Sequence, residues 1–340
     1  MPCEDKLYSR AALKCLIPVV LSLFLFTACA PKAPSQPISE TRLLLDTVCT
    51  ITIYDPNIDK GLLSEALDLC AEYESLLSRT LEGSDIWRVN QAGNEPVKVD
   101  ARTAALIKTG LKYGDFSGGL FDISIGRLCA LWDFGGNPAV PSPTQLAAAQ
   151  ATVDYRQVSV NGDTVQLANA ETWLDLGGIA KGYIADQVTA FLKERGVKSA
   201  VIDLGGNIVA VGAKPDGSPW RIGIEQPFSE RSEIIGALST GAASIVTSGI
   251  YERQFTENGV LYHHILDPAS GLPAKSDVIS ATVITESSTV GDALSTIIIL
   301  AGSENAAALL EQSPGFMGAL LMLESGELLQ YGELDFQSMQ

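Results

Sequence analysis

Residues 173–211 read WLDLGGIAKGYIADQVTAFLKERGVKSAVIDLGGNIVAV, and the order of structure in this stretch decides the fold. Trp173 to Leu176 predicts a strand that breaks at Gly177-Gly178 and enters a helix from about Ile179 to Arg195, ended by Gly196. A second strand, Ser199 to Leu204, breaks at Gly205-Gly206 and resumes at Ile208 to Val211. Asp-Leu-Gly-Gly therefore stands at two strand ends, 175–178 and 203–206. Paired glycines let backbone amides approach a ligand and adopt positive φ, and a helix starting after the first copy offers its N-terminal amides to an anion. Junctions of this kind also form with no ligand. Lys181 tips the balance, because a cation in a first helical turn opposes the helix dipole unless an anion neutralises it. Neither GxGxxG nor GxxxxGK[ST] is present, so ordinary dinucleotide and P-loop sites are not supported.

Outward from this stretch, strands and helices keep alternating. Leu43 to Tyr54 predicts a strand and Leu62 to Leu77 a helix with apolar residues at helical spacing. Thr103 to Asp115 predicts a second helix, and Ser142 opens a third with SPTQLAAAQ after a loop at 135–144. Short strands at Val158–Val160 and Val165–Leu167 flank Asn161-Gly162-Asp163, a hairpin signal. Residues 41–340 read as one continuous unit.

The chain has 340 residues, 46% hydrophobic and 19% charged, a globular composition. Its 23 basic and 40 acidic residues leave a net charge of −17, which would repel phosphate backbones and speaks against nucleic acid as a partner. Six cysteines without a CxxC argue against a disulfide scaffold or a zinc module, and two histidines cannot build a multi-histidine metal site.

Lys6, Arg10 and Lys14 precede the apolar run from Leu16 to Ala28, which is too short to span a bilayer comfortably and fits a secretory signal peptide over residues 1–28. The run ends Phe26-Thr27-Ala28-Cys29, resembling a bacterial lipobox, in which the cysteine is acylated and becomes the mature N-terminus. The expectation is a lipid-anchored protein on the extracytoplasmic face of the cell membrane, with a proline-bearing tether at 29–40.

Near the C-terminus, Gly291-Asp292-Ala293-Leu294-Ser295-Thr296 leads into IIILAG. If this is helical, Asp292 and Thr296 share a face and offer a carboxylate and a hydroxyl to a hard cation such as Mg²⁺. The alternative is that Asp292 caps a helix and Thr296 packs. His263 and His264 lie in LYHHILDPASGLPA; on a strand they face opposite ways, so one of them at most lines a given cleft. A lone histidine there is either a structural residue or the base for proton transfer.

Taken together, DLGGIAKGYIAD (175–186), IDLGGNI (202–208), SGIYERQF (248–255), HHILDPASGLPA (263–274) and GDALST (291–296) resemble the ApbE family of FAD:protein FMN transferases. GGLFDISIGRLCALWDFG (118–135) and GSDIWRVN (83–90) resemble the family's N-terminal half, in the right order. The resemblance implies a single α+β domain of mixed sheets flanked by helices. It also implies an enzyme that transfers FMN from FAD to a Thr or Ser hydroxyl of exported target proteins and releases AMP. Carried over by position, the metal contacts fall on Gly178, Asp292, Ser295 and Thr296. The FAD contacts fall on Leu45, Leu120, Phe121, Asp122, Asp175, Lys181 and Ile265, and the catalytic histidine on His264. Thr80 stands in the FAD-contacting motif where many members carry an aromatic residue. Some relatives with a small polar residue there hydrolyse FAD to FMN and AMP, so an FAD pyrophosphatase is the alternative outcome, and a non-enzymatic flavin-binding lipoprotein is a third.

Overall fold

The computed structural model describes residues 36–229 and 233–339. The expected signal peptide, the Cys29 lipidation site and tether residues 29–35 lie outside the described residues. The tether expected to run to Glu40 ends earlier, because strand β1 (Ile38–Leu44) already pairs Ile38 with Ile53.

The segment 43–54, read as one strand, is a hairpin of β1 and β2 (Thr47–Ile53). Its turn residues Leu45 and Asp46 both have φ of 56°, the left-handed pair that a type I′ turn needs. Leu45 is no turn former and Asp46 is not followed by glycine, so the reversal is only weakly announced.

Helix α1 (Gly61–Leu77) follows, then α2 (Asp85–Gln91), β3 (Val97–Lys98), α3 (Ala101–Phe116), α4 (Gly126–Trp132) and α5 (Pro143–Gln150). In α5, Ser142 and Gln145 close a reciprocal capping box, and Pro143 sits where its missing N–H is harmless. Strands β4 (Val158–Asn161) and β5 (Thr164–Leu167) form the expected hairpin around Gly162, with β3 as a third strand. The strand expected at 173–176 is absent: Trp173 makes a single bridge to Ile125, and the segment is otherwise irregular. Helix α6 (Ala180–Glu194) then buries Gly182, Ile184, Ala185, Val188 and Leu192 along one face.

The remaining elements are β6 (Ser199–Leu204), β7 (Asn207–Gly212), β8 (Trp220–Glu225), β9 (Ile234–Thr240), β10 (Ala243–Gly249), β11 (Gln254–Glu257), β12 (Val260–His263), β13 (Val278–Thr285), α7 (Ser288–Ala301), α8 (Ser303–Glu311), β14 (Phe316–Leu323), β15 (Leu328–Tyr331) and β16 (Asp335–Ser338). An eight-stranded antiparallel sheet in the order β1-β2-β6-β7-β10-β13-β14-β15 is the frame. Alternate residues of its inner strands go to opposite faces. Ala319 and Leu321 of β14 pack with Leu294, Ile298 and Leu310 of α7 and α8, whereas Leu320 and Met322 pack with Trp220, Ile222 and Leu238 of the small sheet β16-β9-β8. Two-sided burial explains why FMGALLML is apolar throughout. The result is the α+β architecture of mixed sheets flanked by helices.

Candidate active site

A cavity of about 780 Å³ opens where the β1–β2 turn, the first turn of α6, α7 and the β11–β12 hairpin meet. It is lined by Leu45, Thr80, Leu120, Phe121, Asp122, Asp175, Gly178, Lys181, His264, Ile265, Asp292 and Thr296, twelve of the thirteen expected site residues in the described chain. Ser295 is the exception. It is fully buried, its hydroxyl shared between Ser248 Oγ at 2.8 Å and the carbonyl of Asp292 at 3.0 Å, so it stands behind the ligand face rather than on it.

The wall made by α6 and α7 is tightly built. A Cβ on Gly182 would lie 2.3 Å from the carbonyl oxygen of Ser288 and 2.7 Å from the Cβ of Asp292, so only glycine lets the helices approach this closely. At the same crossing the Gly182 N–H donates to Asp292 Oδ2 at 2.8 Å. Helix α7 has no side-chain cap of its own. Asp186 of α6 supplies one, accepting the N–H groups of Ser288 (2.7 Å) and Thr289 (3.0 Å) and the hydroxyls of Ser287 and Thr289, each at 2.6 Å. Asp292 lies one turn inside α7, which removes the capping alternative. It and Thr296 share a face, as their spacing predicts. Gly178 faces Thr296, since a Cβ there would come within 3.8 Å of the Thr296 hydroxyl and 2.9 Å of the Phe121 ring.

The carboxylates divide by what already holds them. Asp122 accepts from the Ser124 N–H and hydroxyl and from the Tyr155 N–H, so its carboxylate is fully engaged in fixing the loop beneath the cavity. Burial pushes its pKa up despite these bonds. Asp175 accepts from Gly177 N–H at 2.7 Å and from Arg79 Nε at 2.8 Å. Asp292 is 3% exposed, and its one ion-pair partner among the described residues is Lys181, with Nζ 4.0 Å from Oδ1. Across the cavity, the N–H of Leu45 donates to Glu74 Oε1 at 2.8 Å, which fixes the left-handed turn residue at the cavity edge.

The two histidines separate as expected. His263 is outside the cavity lining, with Nε2 donating to the Ala274 carbonyl at 3.2 Å. His264 lines the cavity, and its backbone N–H donates to the Arg253 carbonyl at 3.0 Å. Burial, followed by the positive charge of Arg253, pulls the His264 pKa down to about 3, so the ring is neutral at ordinary pH.

Of the two Asp-Leu-Gly-Gly copies, only the second uses left-handed glycines, Gly205 at 65° and Gly206 at 87°, and it closes the β6–β7 turn against Thr47. The first copy leads directly into α6, whose N-terminal end borders the cavity. Sequence reasoning missed Arg79, Cys129, Phe134 and Arg253, all on the cavity wall, and the supporting residues Glu74 and Asp186. Arg79 adjoins Thr80, and Cys129 and Phe134 sit inside a motif already singled out, so a search for charged and aromatic residues flanking those motifs would have found them.

The description "ApbE family" belongs to a family model that matches residues 45–321. The chain is 37% identical over 308 residues to the FAD:protein FMN transferase of Treponema pallidum, covering 85% of each, and 34% identical to one from Klebsiella pneumoniae, covering 87% of this chain and 95% of the relative. Among solved structures it resembles the ApbE protein of Thermotoga maritima, with a TM-score of 0.79 and 31% identity over 88% of this chain and 97% of that one. The flavin transferase ApbE of Vibrio cholerae follows at 0.77 and 29%, with the same coverage. The fold, the cavity and these similarities agree, and the chain belongs to the ApbE family.

Proposed function

We propose that the protein transfers FMN from FAD to a Ser or Thr hydroxyl of exported acceptor proteins and releases AMP. It does so with Mg²⁺, on the extracytoplasmic face of a membrane to which acylated Cys29 holds it. The observation that carries this reading is the convergence of Gly178, Lys181, His264, Asp292 and Thr296 from three separate segments on one cavity.

The donor set suits Mg²⁺. Asp292 is a buried carboxylate with one oxygen away from its hydrogen bond, and the carbonyl of Gly178 and the hydroxyl of Thr296 are hard oxygens beside it. An ion held by one carboxylate and two neutral oxygens would keep several waters, as Mg²⁺ does. The cavity lining holds six carboxylates against three cationic side chains, so a pyrophosphate needs added positive charge to enter. Bound Mg²⁺ would offset that charge and stabilise the transferring phosphorus. Lys181 would orient the phosphates from the helix end. His264, neutral and beside Lys181 and Arg253, would accept the proton of the acceptor hydroxyl as its oxygen bonds to phosphorus, and an adjacent anionic phosphate would raise its basicity.

FAD hydrolysis stays as a second reading because Thr80, a small hydroxyl residue hydrogen-bonded to Ser78 at 3.2 Å, lines the cavity. Incubating the protein with FAD, Mg²⁺ and a peptide carrying a flavinylation threonine separates the outcomes. FMN bound covalently to the peptide, with AMP released, is expected; free FMN alone would mean a pyrophosphatase, and unchanged FAD a flavin-binding protein. For location, Cys29→Ser should release the protein from membranes, and its retention there after a high-salt wash would overturn the lipid anchor.

A further inference from the structure

Three cationic side chains line the cavity: Arg79, Lys181 and Arg253. Arg79 is taken up by Asp175, and Lys181 stands 4.0 Å from Asp292. Arg253 has no ion-pair partner among the described residues. That is unusual in this acidic chain. Of the nine arginines described, seven are paired with carboxylates, and of the two that are not, Arg221 and Arg253, only Arg253 borders the cavity. Its place is also fixed. Arg253 immediately precedes β11, and its carbonyl accepts the N–H of His264 at 3.0 Å, which makes it the cross-strand neighbour of that histidine at the mouth of the hairpin.

A guanidinium cannot be neutralised by losing its proton, so an unpaired one on a cavity wall awaits an anion. We propose that Arg253 is a catalytic residue that binds the pyrophosphate of FAD from the hairpin side, facing the phosphates that Lys181 holds from the helix side. This rests on the flavin-transfer reading above. In that reaction the acceptor oxygen forms a bond to the FMN phosphorus, and the bond from that phosphorus to the bridging oxygen breaks. The electron pair leaves with the AMP phosphate, and the hydroxyl proton passes through His264 to solvent. Arg253 neutralises charge on the pyrophosphate as it shifts toward AMP.

Flavin fluorescence titrations with FAD and with riboflavin, which has no phosphate, test the assignment on Arg253→Gln and Arg253→Lys in the presence of Mg²⁺. The exposed, unpaired side chain predicts melting temperatures equal to wild type. Arg253→Gln should weaken FAD binding by about 10-fold or more and slow AMP release, leave riboflavin affinity unchanged, and be partly restored in Arg253→Lys. FAD affinity within twofold of wild type, or equal weakening of FAD and riboflavin, would overturn the assignment. A wild-type protein that binds no FAD would instead overturn the flavin-transfer reading.

Discussion

The two walls of the cavity are built on opposite principles. On one side α6 and α7 meet backbone to side chain at Gly182, are tied by the Asp186 cap, and lie against an eight-stranded sheet. On the other, β11 and β12 form a separate two-stranded ladder outside the main sheet, and Val260 is half exposed. Beneath that hairpin Phe255 and Tyr262 stack at 5.3 Å, and the pair packs on Trp132 and Phe134, themselves stacked at 5.7 Å. Hydrogen bonds to backbone N–H groups are directional and fix a carboxylate such as Asp292 in place. The hairpin wall rests on ring packing with no ladder to the main sheet, which would suit the wall that receives the proposed acceptor segment. The proposed function therefore assigns metal geometry to the stiff wall and proton transfer, with acceptor access, to the adaptable one.

Breaking the stiff wall's chemistry should have the largest effect. Asp292→Ala removes the only carboxylate of the metal set, and AMP release should fall by roughly 10³, since metal stabilisation of transferring phosphate is worth several kcal/mol. Calorimetry should show Mg²⁺ binding lost with the fold intact; wild-type turnover in this variant would remove the metal assignment.

On the adaptable wall, His264→Ala should slow transfer by about 10², the low end for a general base, because a group whose pKa is so depressed is a weak proton acceptor. His263→Ala should change turnover little and act through packing, because the ring lies outside the cavity lining with Nε2 held by the Ala274 carbonyl. Equal effects on rate from both would show that neither is the base.

Overpacking then separates the walls by stability. Gly182→Ala forces a methyl against a carbonyl and a Cβ that cannot rotate away, and about 3 kcal/mol should be lost in urea denaturation. Val260→Ser on the hairpin should stay within about 0.5 kcal/mol. A tolerated alanine at 182 would mean the helices are free to part.

The pH dependence is the finest probe. Between about 6.5 and about 3 the unfolded chain takes up a proton at His264 that the folded chain refuses. Stability contributed by this residue therefore falls as pH drops, by up to about 1.4 kcal/mol per pH unit. His264→Asn should flatten that part of the stability curve, and an unchanged slope would show the ring to be solvated.

The walls also differ in how far their sequences disclosed them. The spans of α1, α3 and α6 follow from helical periodicity ended by glycine or polar residues, and Asp292 with Thr296 follows from a spacing of four, because these are local rules. The Trp173–Leu176 strand fails because Leu174 and Leu176 are buried in the main core with no ladder partner, Trp173 alone bridging Ile125, and burial alone imitates a strand. The β1–β2 reversal was hidden because Leu45 is no turn former and Asp46 without a following glycine is a weak signal. Arg253 and Asp186 act through partners more than ten residues away or through a cavity, and no local pattern carries such information. The resemblance to a family supplied Leu45 and Thr80, which spacing could not.

The Leu45-Asp46 turn has a consequence for how this sequence would evolve. Two side chains held in left-handed backbone are disfavoured by about 1 kcal/mol each relative to glycine, yet both border the cavity. A population selected in the laboratory for heat resistance alone would drift to Asn-Gly at these positions and grow sturdier. It would also lose the cavity edge that Leu45 forms, so recurrence of that drift, paired with fading flavin affinity, would mark the turn as a place where ancestry has favoured the ligand over the fold.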